Sequence, residues 1–133
     1  MLTDRHGWPL HADISSASPH EVKLIEPLVA TAPALVDKAT RLVYDKAADS
    51  EPLRRRLKHW GLRLIHPFIK RRNQPERKLP PRDQRHYNHR WKIERTFAWL
   101  KHFRRLTSRW EYHAHLHLGF WQLGCLITIL KAF

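Results

Sequence analysis

The spacing of apolar positions divides the chain into short strands and amphipathic helices. Gly7-Trp8-Pro9 forms a turn signal, and Leu10 to Ile14 reads as a short strand completing a hairpin begun by the first residues. The period then becomes helical. Val22, Ile25, Leu28 and Val29 repeat at helix spacing behind Ser18, Pro19 and Glu21, which stand in the order of a capping box, and Pro33 ends the segment. Thr40 to Tyr44 predicts a strand. Ser50 caps a second helix with Leu53, Leu57 and Trp60 on one face, Gly61 stops it, and Leu62 to Ile65 predicts another strand. This alternation implies an α/β layer, a short mixed sheet with a largely parallel portion flanked by helices. Residues 67–85 hold four prolines and many bases without periodicity, which predicts an exposed basic loop. A helix follows from Gln84 to about Arg105, with Ile93, Phe97 and Leu100 as a stripe to pack on the sheet. Ala114 to Lys131 is apolar nearly all round and predicts a core helix.

The 133 residues suit one domain, and six tryptophans with 42% hydrophobic residues exclude wholesale disorder. The formal charge of +13 is unevenly spread: from Arg54 to Arg109 nineteen Lys or Arg face three acids, Glu76, Asp83 and Glu94. Such a field attracts a polyanion, although a basic run is equally a solvated surface. The single cysteine, Cys125, excludes an intramolecular disulfide and fits a reducing compartment. No secretory signal opens the chain, and Leu116 to Leu130 falls short of the roughly 20 apolar residues that cross a bilayer. No membrane partner is expected.

Chemistry concentrates at two places. Tyr87, Arg90, Glu94 and Lys101 are offset by three, seven and fourteen residues, which on one continuous helix confines them to a wedge of roughly 60°. One carboxylate is then framed by a phenol and two cations, either a metal-binding acid among phosphate-holding groups or a solvated face. Asp45 directly follows Leu42, Val43 and Tyr44, which puts it at the carboxyl end of a predicted strand, where ligands of open α/β sheets gather. A turn acid is the alternative. Arg90 can grip a phosphate through two parallel donors while Lys101 acts as a point charge. Lys70, Arg71 and Arg72 would reach phosphates from the loop without reading sequence. His113, His115 and His117 alternate, but on a helix only the first and last share a face, too few for zinc.

The run Tyr87-Asn88-His89-Arg90-Trp91-Lys92-Ile93-Glu94 through Leu100-Lys101, with Phe103-Arg104-Arg105-Leu106 and Arg109-Trp110-Glu111 behind it, resembles the C-terminal signature of bacterial insertion-sequence DDE transposases. All four positions of the Tyr-x-x-Arg-x-x-x-Glu-x-x-x-x-x-x-Lys pattern match. Val43-Tyr44-Asp45-Lys46-Ala47-Ala48-Asp49-Ser50 is similar to the segment carrying the family's middle acid, with Ala47 and Ala48 where relatives usually have glycine and tyrosine. Leu2 to Leu10 is similar to a hairpin after the family's first acid. The resemblance covers nearly the whole chain but only the latter part of a full transposase.

It implies a truncated RNase H-like domain and DNA transposition by metal-dependent cleavage and strand transfer at element ends. Asp45 and Glu94 would be catalytic carboxylates holding Mg2+ or Mn2+, and Tyr87, Arg90 and Lys101 DNA contacts. It implies DNA as partner, an upstream transposase segment or a second copy as protein partner, and a cytoplasmic, nucleoid-associated location. The first acid is missing, since Asp4 matches a non-catalytic hairpin position and Asp13 offers nothing better, so the chain alone is expected to be inactive. Two alternatives stand beside this: a DNA-binding remnant without chemistry, and an unrelated basic RNA-binding protein.

Overall fold

The computed structural model describes residues 1–35, 40–70, 72–73 and 75–131. It contains helices and two small sheets, and divides into two compact units, residues 18–90 and residues 1–17 with 91 onward.

In the unit of residues 18–90, β3 (Arg41–Val43) pairs in parallel with β4 (Arg63–Ile65), Leu42 opposite Leu64, and the crossover between them carries α2 (Glu51–His59). Ser50 caps α2, its Oγ accepting from the Leu53 amide at 3.4 Å. The far end closes as the expected glycine predicts. Gly61 takes φ +79°, its amide donates to the Lys58 carbonyl, and the Leu62 amide donates to the Leu57 carbonyl. These two crossed bonds satisfy the last carbonyls of the helix and fold Leu62 back over Leu57. Leu53 and Leu57 are fully buried with Leu62, Leu64 and Ala48, and with Ile25 and Val29 from α1 (Val22–Ala30). A bidentate pair ties Arg56 of α2 to Glu26 of α1 at 2.7 and 2.9 Å. Trp60, expected on the packing face, is half exposed at the helix end.

The expected capping box at Ser18 does not form. The chain bends through residues 17–19, leaving Ser18 a full turn upstream of the first helical residue, and the His20 Nδ1 takes the Val22 amide instead. Residues 67–85 are not all loop either: the Pro80-Pro81 step starts α3 (Pro81–Tyr87), as proline at a first helical position permits.

In the other unit, β1 (Leu2–Thr3) and β2 (Pro9–His11) form the expected hairpin, shorter than Leu10 to Ile14 suggested. Asp4 organises its turn, its Oδ1 accepting from the His6 and Trp8 amides at 2.8 Å. The turn lies on α4 (Trp91–Lys101) and is strapped there by side chains reaching its carbonyls. Lys92 Nζ donates to Arg5, Arg95 Nη2 to His6 at 2.6 Å, and Thr96 Oγ1 to Gly7. Trp8 stacks on Trp99, and the Arg95 guanidinium lies against both Trp91 and Trp99.

The single helix expected from Gln84 to Arg105 is three. At His89 and Arg90 the amides bond three residues back, to His86 and Tyr87, so the α-helical ladder tightens and stops before α4 begins. A second break at His102 and Phe103 precedes α5 (Arg104–Thr107). α6 (Ala114–Leu130) forms as expected but is not core. Its buried residues are Gly124 and Thr128, while five of its large apolar side chains are 36–62% exposed. Two residues of the expected stripe, Phe97 and Leu100, correspondingly meet α6 rather than a sheet, with Phe97 edge-on to Trp121 and Leu100 beside Gly124. Cys125 is a half-buried thiol whose pKa is pushed up by burial. Among the described residues no helix is long and apolar enough to cross a membrane.

Candidate nucleic-acid and metal site

Asp45 sits immediately beyond β3, at the carboxyl end of the parallel pair. Its Oδ1 accepts from the Ala47 amide at 2.8 Å and so opens the 3-10 turn Lys46–Ala48. The strand-end and turn-acid readings thus describe one residue: a short hydrogen bond fixes the carboxylate in half-buried surroundings and leaves its second oxygen for other chemistry. The neighbouring Tyr44 phenol is raised above its usual pKa, first by burial and then by the nearby Glu21 and Asp45 carboxylates.

Four residues on, Asp49 is built in. Its Oδ2 accepts from the Ile69 amide at 2.8 Å and Arg54 approaches its Oδ1 at 3.9 Å, which anchors the backbone after β4. Arg54 Nη2 also meets the Nε2 of buried His66 at 2.8 Å. With Lys58, Arg63 and Phe68 these residues line a cleft of about 540 Å³, and Arg77 stacks over Phe68 at 4.1 Å. Sequence reasoning missed this basic and aromatic cluster. Its signal was His66 directly after a strand, in register with the apolar run yet polar.

The break at residues 88–90 revises the four-residue wedge. Glu94 and Lys101, seven apart on α4, share one face of an intact helix, and both are exposed. Tyr87 ends α3 and Arg90 lies in the turn beyond it, its amide bonded to the Tyr87 carbonyl at 2.9 Å; both are half buried. One helix does not carry all four: Tyr87 and Arg90 belong to the same unit as Asp45, and Glu94 and Lys101 to the other. Lys70 and Arg72 are exposed in the basic loop, and Arg71 lies outside the described residues.

Asp45 and Glu94 offer carboxylate oxygens, the donor type that hard divalent cations prefer. Among the described residues no three His, Cys, Asp or Glu side chains gather as a metal cage, while the two carboxylates fit such an ion in kind. Of the histidines near α6, His117 is tied into a hydrogen-bonded arrangement and the other two are exposed. Trp121 Nε1 donates to His117 Nε2 at 3.1 Å, which leaves Nδ1 toward Glu111, while His113 and His115 stack on each other.

A family model described as the transposase DDE domain matches residues 1–130. The chain is 37% identical to a protein of Burkholderia cepacia assigned as the transposase of insertion sequence element IS402; the match covers 96% of this chain and 59% of that relative's length. No solved structure matches. The chain therefore belongs to the DDE transposase family and spans about three fifths of the curated relative it matches.

Proposed function

We propose that this member of the DDE transposase family is the later part of an RNase H-like catalytic domain, acting on the DNA ends of an insertion sequence. The observation carrying this reading is Asp45, held by the Ala47 amide at the carboxyl end of a parallel β3–α2–β4 crossover within a stretch matched to the family over residues 1–130. Asp45 and Glu94 are the proposed catalytic carboxylates, each of the oxygen-donor type that a divalent cation such as Mg2+ or Mn2+ takes. When bound, the ion would neutralise charge building on a phosphate under in-line attack. In the family's three-acid pattern a further carboxylate completes the set.

The chain's own residues bind and orient. Arg90 grips a backbone phosphate through paired donors, Lys101 holds another from the face that carries Glu94, and Tyr87 offers a hydroxyl and a ring face for a sugar or base. Lys70, Arg71 and Arg72, with the Arg54, Lys58 and Arg63 cleft wall, extend the positive surface along the duplex.

The test joins the chain in frame to a segment supplying the first acid and measures Mg2+-dependent cleavage of element-end DNA alongside binding. Glu94→Gln is expected to abolish cleavage and leave binding within about twofold. Arg90→Ala should weaken binding and flatten its salt dependence by about one phosphate contact. Cleavage undiminished in Glu94→Gln overturns the catalytic reading. Tighter binding to folded RNA than to element-end DNA, indifferent to Arg90→Ala, overturns the DNA reading.

A further inference from the structure

α6 is inside out. From Ala114 to Leu130 it carries no Asp, Glu, Lys or Arg, yet its buried positions are Gly124 and Thr128, with His117, Leu118, Trp121, Cys125, Ile127 and Ile129 half buried. Leu116, Phe120, Leu123, Leu126 and Leu130 fall within roughly 120° on the opposite side at 100° per residue, and each is 36–62% exposed. The close approach that makes the inner side so small is visible at Gly124, where a Cβ would stand 2.7 Å from Leu106 Cδ1. Large leucines are thereby directed outward. A contiguous apolar stripe of this kind marks an interface.

Two features identify what covers it. A second copy would bring together two chains of charge +13. The Burkholderia cepacia relative, in contrast, has about two fifths of its length outside the matched stretch. We infer that the outward face of α6 is the seat of a transposase segment from outside the matched stretch, apolar on the side it presents. The edge of the stripe supports one requirement on its sequence. Arg105 lies over the Phe120 ring at 5.7 Å and pairs with Glu111 at 3.1 Å, so the segment should bring no further cation to that edge.

This inference rests on the transposase reading but fails separately, because its test contains no DNA. The tagged chain is co-expressed with the unmatched part of the Burkholderia cepacia relative, purified through the tag, and sedimented alone at micromolar concentration. The expected result is a monomer when alone and stoichiometric co-purification of the segment. Leu123→Asp, and independently Leu116→Asp, should reduce co-purification at least tenfold while circular dichroism keeps the helical signal, since both positions are already half exposed. A folded wild-type chain that retains no segment overturns the inference. So does retention unchanged by both substitutions, or a dimer of the chain alone that Leu123→Asp dissociates.

Discussion

α2 and α6 invert the usual relation between hydrophobic content and burial. α2 has three arginines, a lysine and only two leucines in nine residues, yet both leucines are fully buried. α6 has no formal charge in seventeen residues and buries only a glycine and a threonine. The difference is one of phase. Leu53 and Leu57 are four apart, on the side that meets β4 and α1, and the Gly61 closure adds Leu62 to the same place. The side of α6 that meets α4 and α5 was chosen by closeness of approach, so its bulk lies elsewhere. One unit is held by a small complete core; the other is held to a large extent by side chains reaching backbone carbonyls.

The sharpest way to break this contrast is truncation. Leu57→Ala should cost about 2–5 kcal/mol in urea unfolding, whereas Leu123→Ala on α6 should stay within about 1 kcal/mol in the isolated chain. Comparable losses would show that α6 is packed after all. The straps of the second unit come next. Gly7 has φ +92° and a Cβ there would lie 3.1 Å from the Lys92 carbonyl oxygen, so Gly7→Ala should cost about 1–3 kcal/mol. Thr96→Val, which removes the hydroxyl donated to Gly7 but keeps the shape, should cost about 1–3 kcal/mol with Thr96→Ser restoring part of it. Both are read by hydrogen exchange of the α4 amides.

Smaller still, Ser50→Ala should remove about 1 kcal/mol from the first unit, and Ser18→Ala almost nothing. Equal effects would reinstate the capping box. The least effect concerns acid. At Glu111 burial works to raise the carboxyl, but its own backbone amide, then His117, the Trp110 amide and Arg105, hold it below the usual range. A carboxyl lowered on folding stabilises above its unfolded pKa of about 4.3, and that contribution is lost as pH falls through the folded value. The melting temperatures of wild type and Glu111→Gln should therefore differ at pH 7 and converge as the pH falls through the folded value, below the unfolded one.

Local chemistry was legible in the sequence, while phase and partners were not. Ser50, Gly61 and the Leu53 and Leu57 pair specify α2 by rules confined to a dozen residues, and Asp45 was placed at its strand end by the apolar run before it. The turn at residues 88–90 escaped notice because neither proline nor glycine marks it; it arises from two amides bonding one residue short. α6 escaped because a helix apolar all round states no preference for which side is covered. His66 and the Arg54 cluster depend on side chains twelve and more residues apart, which no local period encodes.

The strap between Gly7 and Thr96 joins positions 89 residues apart, with the whole of the first unit threaded between them. On a ribosome the hairpin is made before its helix and waits roughly 4 to 17 s for it at ordinary elongation rates. Residues 18–90 can meanwhile close their own core. The hairpin and its helix then meet only after the segment between them has been made, so a chain stalled before residue 91 would present a folded segment beside an unclaimed hairpin.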